Sequence, residues 1–206
     1  MKTDVKKTPL IAILLTSILA CAFPMRGFTA PLGLTTSSPT LEVSFAFIDY
    51  FDFGPDGDLS TSGAEVESAI DVFPSGFTEL GFGVGFSLAD PTSDFAGGFD
   101  VFDEAGFFLG GDLVAVGFDT DAFEFQFGDL SGSAASDFGD SVLMAINVAS
   151  LGNNPFAGLV DGEFYEASIT VSRVVSGTVP TPATLPLFLF ASAGFGWIGR
   201  KRLTQS

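Results

Sequence analysis

The stretch that decides the fold is residues 77–88, which read FTELGFGVGFSL. Large apolar residues alternate in it with glycine or serine, at Leu80, Phe82, Val84, Phe86 and Leu88. Successive side chains of a strand point to opposite faces of the sheet, so this period of two predicts a half-buried β-strand. The glycine face predicts that another backbone, or bulky phenylalanines from a facing sheet, approach the strand closely.

The same period of two occurs on both sides of this stretch. In residues 41–53 the odd positions predict that Phe45, Phe47, Phe51 and Phe53 face a core, with a bulge at Asp49-Tyr50. Other strands are predicted over residues 65–73, 98–102, 107–118, 122–127, 141–149 and 164–175. Turn signals such as Gly54-Pro55-Asp56-Gly57-Asp58 separate them.

Eight or so short strands at this spacing predict an all-β fold. We expect a single antiparallel β-sandwich over residues 41–175, jelly-roll-like in topology, preceded by a linker over residues 23–40. An N-terminal signal helix and a C-terminal transmembrane helix would flank it. Short helical turns are predicted at residues 134–137 or 154–159, and no stretch of ten residues has a helical period.

The charge of this domain is one-sided. Between Gly27 and Ser172 there are 24 acidic residues and no Lys, Arg or His. Self-repulsion at this density opposes compaction, and salt or divalent cations relieve it. Nucleic acid and anionic lipid surfaces are excluded as partners of the domain, because their binding depends on Lys and Arg.

Residues 1–22 have the layout of a secretory signal peptide. Lys2, Lys6 and Lys7 precede an apolar run over residues 10–22. Ala20 and Ala22 form an A-x-A-like site around Cys21, which predicts cleavage before Phe23. Alternatively, residues 18–21 are a lipoprotein box and Cys21 carries a lipid. Cys21 is the only cysteine, so cleavage before Phe23 leaves a mature protein without disulfides or a thiol nucleophile.

Residues 176–206 have the three parts of a C-terminal anchor. A Pro-rich entry comes first, formed by Val179, Pro180, Thr181, Pro182 and Ala183. The apolar run over residues 183–198 would rise about 24 Å as a helix, against a hydrocarbon core of about 30 Å. The basic residues Arg200, Lys201 and Arg202 then place this end in the cytoplasm and the rest of the chain outside. The alternative is a buried core helix that ends in a solvated basic tip.

This order of motifs resembles the PEP-CTERM family of C-terminal sorting signals, and most closely its VPLPA-CTERM variant. The resemblance is confined to residues 179–202, and Thr181 departs from it, since the main family has Glu there and the variant Leu. It implies export through a secretion translocon and retention in the inner membrane of a Gram-negative cell. An exosortase-type enzyme would then process the protein for the cell surface or extracellular matrix, where extracellular polysaccharide is a candidate partner.

Carboxylates around one turn form the best candidate for a metal site. The residues are Asp49, Asp52, Asp56 and Asp58. Carboxylates at alternate positions, with a glycine between them, suit a hard cation such as calcium. The spacing does not fit an EF-hand, because the third and twelfth positions counted from Asp52 are glycines. Solvated turn residues are the alternative, and no other metal or cofactor is expected.

Catalysis is not expected. A domain without His, Lys, Arg or Cys excludes the common nucleophilic triads, Schiff-base lysines and phosphate clamps. A carboxylate pair, as in glycoside hydrolysis, is the one chemistry left. With 24 acids in the domain, some pair always looks plausible.

The phenylalanines have two interpretations. Twenty of the 25 lie between Phe45 and Phe164, where their alternation is typical of a core. The other interpretation is an exposed adhesive patch, for which the consecutive Phe107-Phe108 is the one hint, since neighbours in a strand face opposite sides.

The sequence therefore predicts an exported, non-catalytic surface or extracellular-matrix protein with a structural or adhesive role. A calcium- or glycan-binding module of the cell envelope is the second possibility, and a carboxylate-dependent glycan hydrolase the third.

Overall fold

Nine β-strands make up most of the part of the chain that the structure describes. The structure is a computed structural model that describes residues 31–149, 151–152 and 154–175. The strands are β1 (Thr35–Asp52), β2 (Asp56–Glu65), β3 (Ser68–Ile70), β4 (Glu79–Ser87), β5 (Phe95–Asp103), β6 (Gly106–Asp119), β7 (Ala122–Ser131), β8 (Val142–Val148) and β9 (Phe164–Val175). The short helix α1 (Ala135–Phe138) and a 3-10 turn (Pro155–Gly158) form where helical turns are predicted. The predicted signal helix and transmembrane helix lie outside the described residues.

Eight of these strands form one closed antiparallel barrel. The hydrogen-bonded order is β2-β4-β5-β6-β7-β8-β9-β1, and β1 also pairs with β2, which closes the ring. Strand β2 pairs with the last four residues of β1, whereas β3 pairs with residues 40–42 of the same strand. The all-β prediction is confirmed, whereas the predicted two-sheet jelly-roll sandwich is replaced by a single sheet closed on itself. From β4 to β9 each strand pairs with its successor, so hairpins replace the crossovers that a jelly roll requires.

The barrel interior is packed with phenylalanine. Phe123, Phe125 and Phe127 of β7 are completely buried. The ring of Phe127 lies 4.8 Å from that of Phe99, and the ring of Phe125 lies 6.2 Å from that of Phe82, between centroids. Burial of each such side chain stabilises the fold by about 1.5–3 kcal/mol.

Two further phenylalanines plug the ends of the barrel. Phe156 of the 3-10 turn packs on Phe86 and Phe123 at one end, with ring centroids 4.8 Å apart in both contacts. Phe138 of α1 is completely buried, and α1 contacts β1, β6, β7 and β9. The two short helical turns therefore complete the core of the barrel.

A bulge in β1 determines which of its phenylalanines face outward. The register between β1 and β9 shifts between Val43 and Ala46, so Ser44 and Phe45 form the bulge. After it the even positions face the core, and Ile48 and Tyr50 are buried. The predicted bulge at Asp49-Tyr50 is wrong, because both residues pair regularly with β2. An extra residue moves every later side chain to the opposite face, so the predicted core positions Phe45, Phe47, Phe51 and Phe53 are exposed.

Candidate functional site

Exposed phenylalanine is the most conspicuous surface feature of the barrel. Of the twenty phenylalanines between Phe45 and Phe164, nine are exposed: Phe45, Phe47, Phe51, Phe53, Phe73, Phe77, Phe102, Phe107 and Phe164. Single exposed apolar residues are ordinary, whereas clusters indicate contact surfaces. The prediction that the twenty phenylalanines form the core is therefore correct only for the eleven that are not exposed.

One group lies at the barrel end that carries the β1–β2 turn, which we name the Pro55 end. The backbone N–H of Leu88 donates to the Pro55 carbonyl at 2.9 Å, and the N–H of Asp52 donates to Asp161 Oδ1 at 2.8 Å. These bonds tie together the turns that come after β1, β4 and β8. Around them lie exposed apolar side chains, namely Phe51, Phe53, Leu88, Val160 and Phe164.

A second group lies at the opposite end, which we name the Phe73 end. Here the loop after β3 is bound to the β5–β6 hairpin, since Ser75 N–H donates to Asp103 Oδ2 at 2.8 Å and Glu104 N–H donates to the Ser75 carbonyl at 2.9 Å. The loop and hairpin together carry exposed phenylalanines, namely Phe73, Phe77, Phe102 and Phe107. Phe73 is 92% exposed.

The Phe107-Phe108 pair divides between the two sides of β6. Phe108 is buried, whereas Phe107 is exposed and its ring lies 5.4 Å from that of Phe102. The predicted exposure is therefore confirmed for Phe107 and wrong for Phe108, and an adhesive patch stays a prediction.

A groove on the outer face of β4, β5, β6 and β7 is the other candidate site, and we name it the glycine groove. It has a volume of about 460 Å³. Its lining comprises Gly83, Gly98, Phe99, Asp100, Phe107, Gly110, Gly111, Asp112, Asp129 and Ser131. The alternating glycines of β4 predict a face covered by a second sheet, but no atom of the described residues lies within 4 Å of the position that a Gly83 Cβ would take.

The other glycines of this face on β4 and β5 have neighbouring atoms within 4 Å, and the nearest of these are backbone carbonyl oxygens. The Asp100 carboxylate oxygens lie 3.7 Å from the Cβ position of Gly81, and Asp112 Oδ1 lies 3.9 Å from that of Gly98. The groove therefore has a bare backbone floor at Gly83 with carboxylates beside it. The sequence pattern indicates the glycines and not the groove, because their outward direction depends on the closure of the barrel.

Phe107 forms one wall of the groove. Its ring lies over Gly110, where Cζ is 2.8 Å from the position that a Cβ would take. Any side chain at Gly110 would therefore displace the ring.

The electrostatics of the groove are uniformly negative. The carboxylates of Asp100, Asp112 and Asp129 accept no hydrogen bond among the described residues. Asp100 is exposed as a residue, but partial burial of its carboxyl in the groove raises the pKa of this group above its ordinary value. No cationic side chain occurs between residues 31 and 172 to neutralise the three.

The four predicted calcium ligands lie around the Pro55 end. Asp49 and Asp58 are on the outer barrel face, where Asp49 lies opposite Ser60 and Asp58 lies opposite Phe51. Asp49 Oδ1 is buried and has no hydrogen-bond partner among the described residues. Asp52 Oδ1 accepts from the Gly54 N–H at 2.7 Å and so closes the turn.

Asp56, the fourth residue, is exposed at the start of β2. Within residues 31–149, 151–152 and 154–175, no three acidic, His or Cys side chains gather as a metal site would require. Calcium binding stays a prediction.

The predicted export signals lie outside the described residues. They are the cleavage-site residues Ala20 and Ala22, the sorting motif Val179, Pro180, Thr181, Pro182 and Ala183, and the basic residues Arg200, Lys201 and Arg202. Among the residues that are described, no helix is long and apolar enough to cross a membrane. Comparison with protein families, with curated proteins and with solved structures finds no match to this chain.

Proposed function

We propose that this chain is an exported protein of the cell surface or extracellular matrix, and that its barrel has a structural or adhesive, non-catalytic role. The observation that carries the proposal is the exposed phenylalanine at both ends of the barrel. Two apolar ends on one closed barrel allow it to bridge two partners or to associate end to end.

The energetics favour contact through these ends. An aromatic side chain that becomes buried in an interface contributes about 1.5–3 kcal/mol, so a few exposed rings suffice for weak association. The acidic surface opposes the approach of a second acidic body. Screening lengths fall from about 10 Å at 0.1 M salt to about 3 Å at 1 M, so salt strengthens association between like-charged copies.

The export part of the proposal is supported by the two termini of the sequence. The predicted signal peptide over residues 1–22 and the predicted sorting signal over residues 176–206 favour export of the barrel, and the resemblance of residues 179–202 to PEP-CTERM signals implies processing by an exosortase-type enzyme. The non-catalytic part is supported by the chemistry of the domain, which has carboxylates but no His, Lys or Cys between residues 31 and 172.

Variants of the two ends test the adhesive role. The doubly substituted Phe73→Ser/Phe77→Ser and Phe53→Ser/Phe164→Ser proteins remove rings from one end each. The matched control is Val114→Ser, which removes an exposed apolar side chain from β6, in the side wall of the barrel. The measurements are light scattering across a salt series and retention on an octyl surface.

We expect both double variants to associate less and to elute earlier, while the control behaves as the native protein does. Equal behaviour of all four proteins would overturn the adhesive role.

A glycan-binding module is the second candidate, and the glycine groove is the observation that favours it. Its open glycine floor and the Phe107 ring offer a flat surface on which a sugar ring can lie, with carboxylates beside it as hydrogen-bond acceptors.

A further inference from the structure

The glycine groove combines a flat floor, an aromatic wall and acidic edges. The floor is open at Gly83, where a ligand atom can approach the strand backbone directly. Phe107 supplies an exposed ring next to Gly110. A planar or nearly planar ligand unit fits this shape better than a branched side chain does, because the floor has no side chains between which a branch could insert.

The polar side-chain groups of the groove are almost all acceptors. Asp100, Asp112 and Asp129 offer carboxylate oxygens, and Ser131 is the one side chain that can also donate. A ligand must therefore bring donors, and a cationic donor is favoured over a neutral one. Anionic ligands are excluded, because no cation of residues 31–172 is present to meet them.

We propose that the glycine groove binds a cationic amino-sugar polymer, with successive sugar rings over Gly83 and against Phe107 and their ammonium groups paired with Asp100 and Asp112. Hydroxyl groups of the same rings donate to the remaining carboxylate oxygens. This inference rests on the glycan-binding candidate and is independent of the adhesive role of the barrel ends.

Other ligand classes fit less well. A bare divalent cation requires several carboxylates gathered around one point, and no group of three is gathered in the described residues. A neutral glycan would leave the negative charge of the groove uncompensated. A lysine-rich peptide satisfies the charge but has no rigid ring for the flat floor.

The glycines offer a test that leaves the charge unchanged. Gly83→Ala places a methyl group on the groove floor, in space that no described atom occupies, so the fold tolerates it. Gly85→Ala is the matched control on the same strand, because Gly85 is outside the groove and its nearest neighbour, the Ala96 carbonyl oxygen, lies at 3.8 Å.

A second pair tests the charge. Asp112→Asn removes one groove carboxylate, and Asp94→Asn removes one exposed carboxylate from the turn before β5. Both variants change the net charge equally, so general attraction of a polycation to an acidic protein affects both alike.

The experiment is calorimetric titration of the full-length protein in detergent with a glucosamine hexamer, at about pH 6, where most carboxylates are ionised. We expect Gly83→Ala and Asp112→Asn each to weaken binding about tenfold, and the two controls to bind as the native protein does. The N-acetylated hexamer should bind at least about tenfold more weakly. Binding should also lower the pKa of the Asp100 carboxyl, because a cation stabilises its ionised form.

Three results would overturn the proposal: no measurable binding of the amino-sugar hexamer, equal weakening in each variant and its control, or hexalysine binding that equals that of the hexamer and has the same sensitivity to Gly83→Ala. The last would identify a cationic peptide as the ligand. None of these results bears on the retention of the Phe73 and Phe53 variants, so failure here is distinguishable from failure of the adhesive role.

Discussion

The ring of Phe45 meets that of Phe47 edge to face outside the barrel, with centroids 4.8 Å apart and planes at 82°. Both are half-exposed, although they stand at positions whose alternation is typical of a core. The two rings therefore make a favourable edge-to-face contact with each other, but they do not contribute to the core. The bulge that precedes Ala46 therefore converts a run of core-like residues into surface.

Exposed and buried phenylalanines should respond very differently to the same substitution. Phe73→Ala should change the free energy of unfolding by less than about 0.5 kcal/mol, because its side chain is 92% exposed. Phe125→Ala should cost about 3–5 kcal/mol, because it opens a cavity in the barrel. Denaturant unfolding measures both. A large loss in Phe73→Ala would contradict the assignment of the loop after β3 to the surface.

Substitution by alanine should also have opposite effects on stability at two glycines of neighbouring strands. Gly83→Ala should stabilise the protein by about 0.4–1 kcal/mol, because open space receives the methyl group and the unfolded chain loses freedom. Gly97→Ala should destabilise it by about 1–3 kcal/mol or more, because Gly97 has φ +153° and a Cβ would collide with the Gly83 carbonyl oxygen. Thermal unfolding of the two variants beside the native protein measures both effects. Equal melting temperatures for the two variants would refute the register of β4 and β5.

The sequence predicts the strands whose apolar residues alternate and misses those whose residues do not. Strand β4 and the strands from β6 to β9 lie close to their predicted positions, because their inward residues are large and apolar. Strand β2 is missed and its first residues are predicted as a turn, since its sequence DGDLSTSGAE has one large apolar residue, Leu59. Pairing with β4 and closure on β1 hold that segment as a strand.

Barrel and sandwich could not be distinguished from the pattern, because both bury alternate residues on one face of every strand. The glycine groove could not be predicted from the sequence either, because it depends on how neighbouring strands are paired. Its residues come from β4, β5, β6 and β7, and only the register places Gly83 opposite Gly98 and Gly98 opposite Asp112.

The pH dependence of stability should include a contribution from Asp100. Partial burial raises the pKa of this carboxyl in the folded state, so the folded protein binds more protons than the unfolded chain between the two pKa values. Stability should therefore fall as the pH rises from about 4, the unfolded value, through the folded pKa, and the loss should persist at neutral pH. Asp100→Asn should remove this loss and raise the neutral-pH melting temperature.

Asp94→Asn is the control for Asp100, since it relieves the same general repulsion in an exposed turn. Equal gains in melting temperature for the two variants would show that the partial burial of the Asp100 carboxyl has no effect on stability.

Cations should raise the melting temperature, because they screen repulsion among 24 acids. At matched ionic strength, a calcium site at Asp49 and its neighbours predicts a larger rise with calcium than with magnesium or sodium. Asp49→Asn should abolish the difference, whereas Asp94→Asn should preserve it. Identical curves for the three cations would exclude the site and leave these acids as solvated surface.

Processing of the termini should be visible in the mass of the native protein. Cleavage before Phe23 and removal of the anchor after the region of residues 179–183 should leave a product in the medium or matrix, and the membrane fraction should contain the longer precursor. The proposed role of Arg200, Lys201 and Arg202 is to stop transfer on the cytoplasmic side, so their replacement by Asn should reduce retention in the membrane before processing. A chain recovered from the membrane with an intact C-terminus, and from nowhere else, would show an ordinary tethered domain and overturn the sorting proposal. A mass that includes a lipid on Cys21 would assign the N-terminus to the lipoprotein alternative instead.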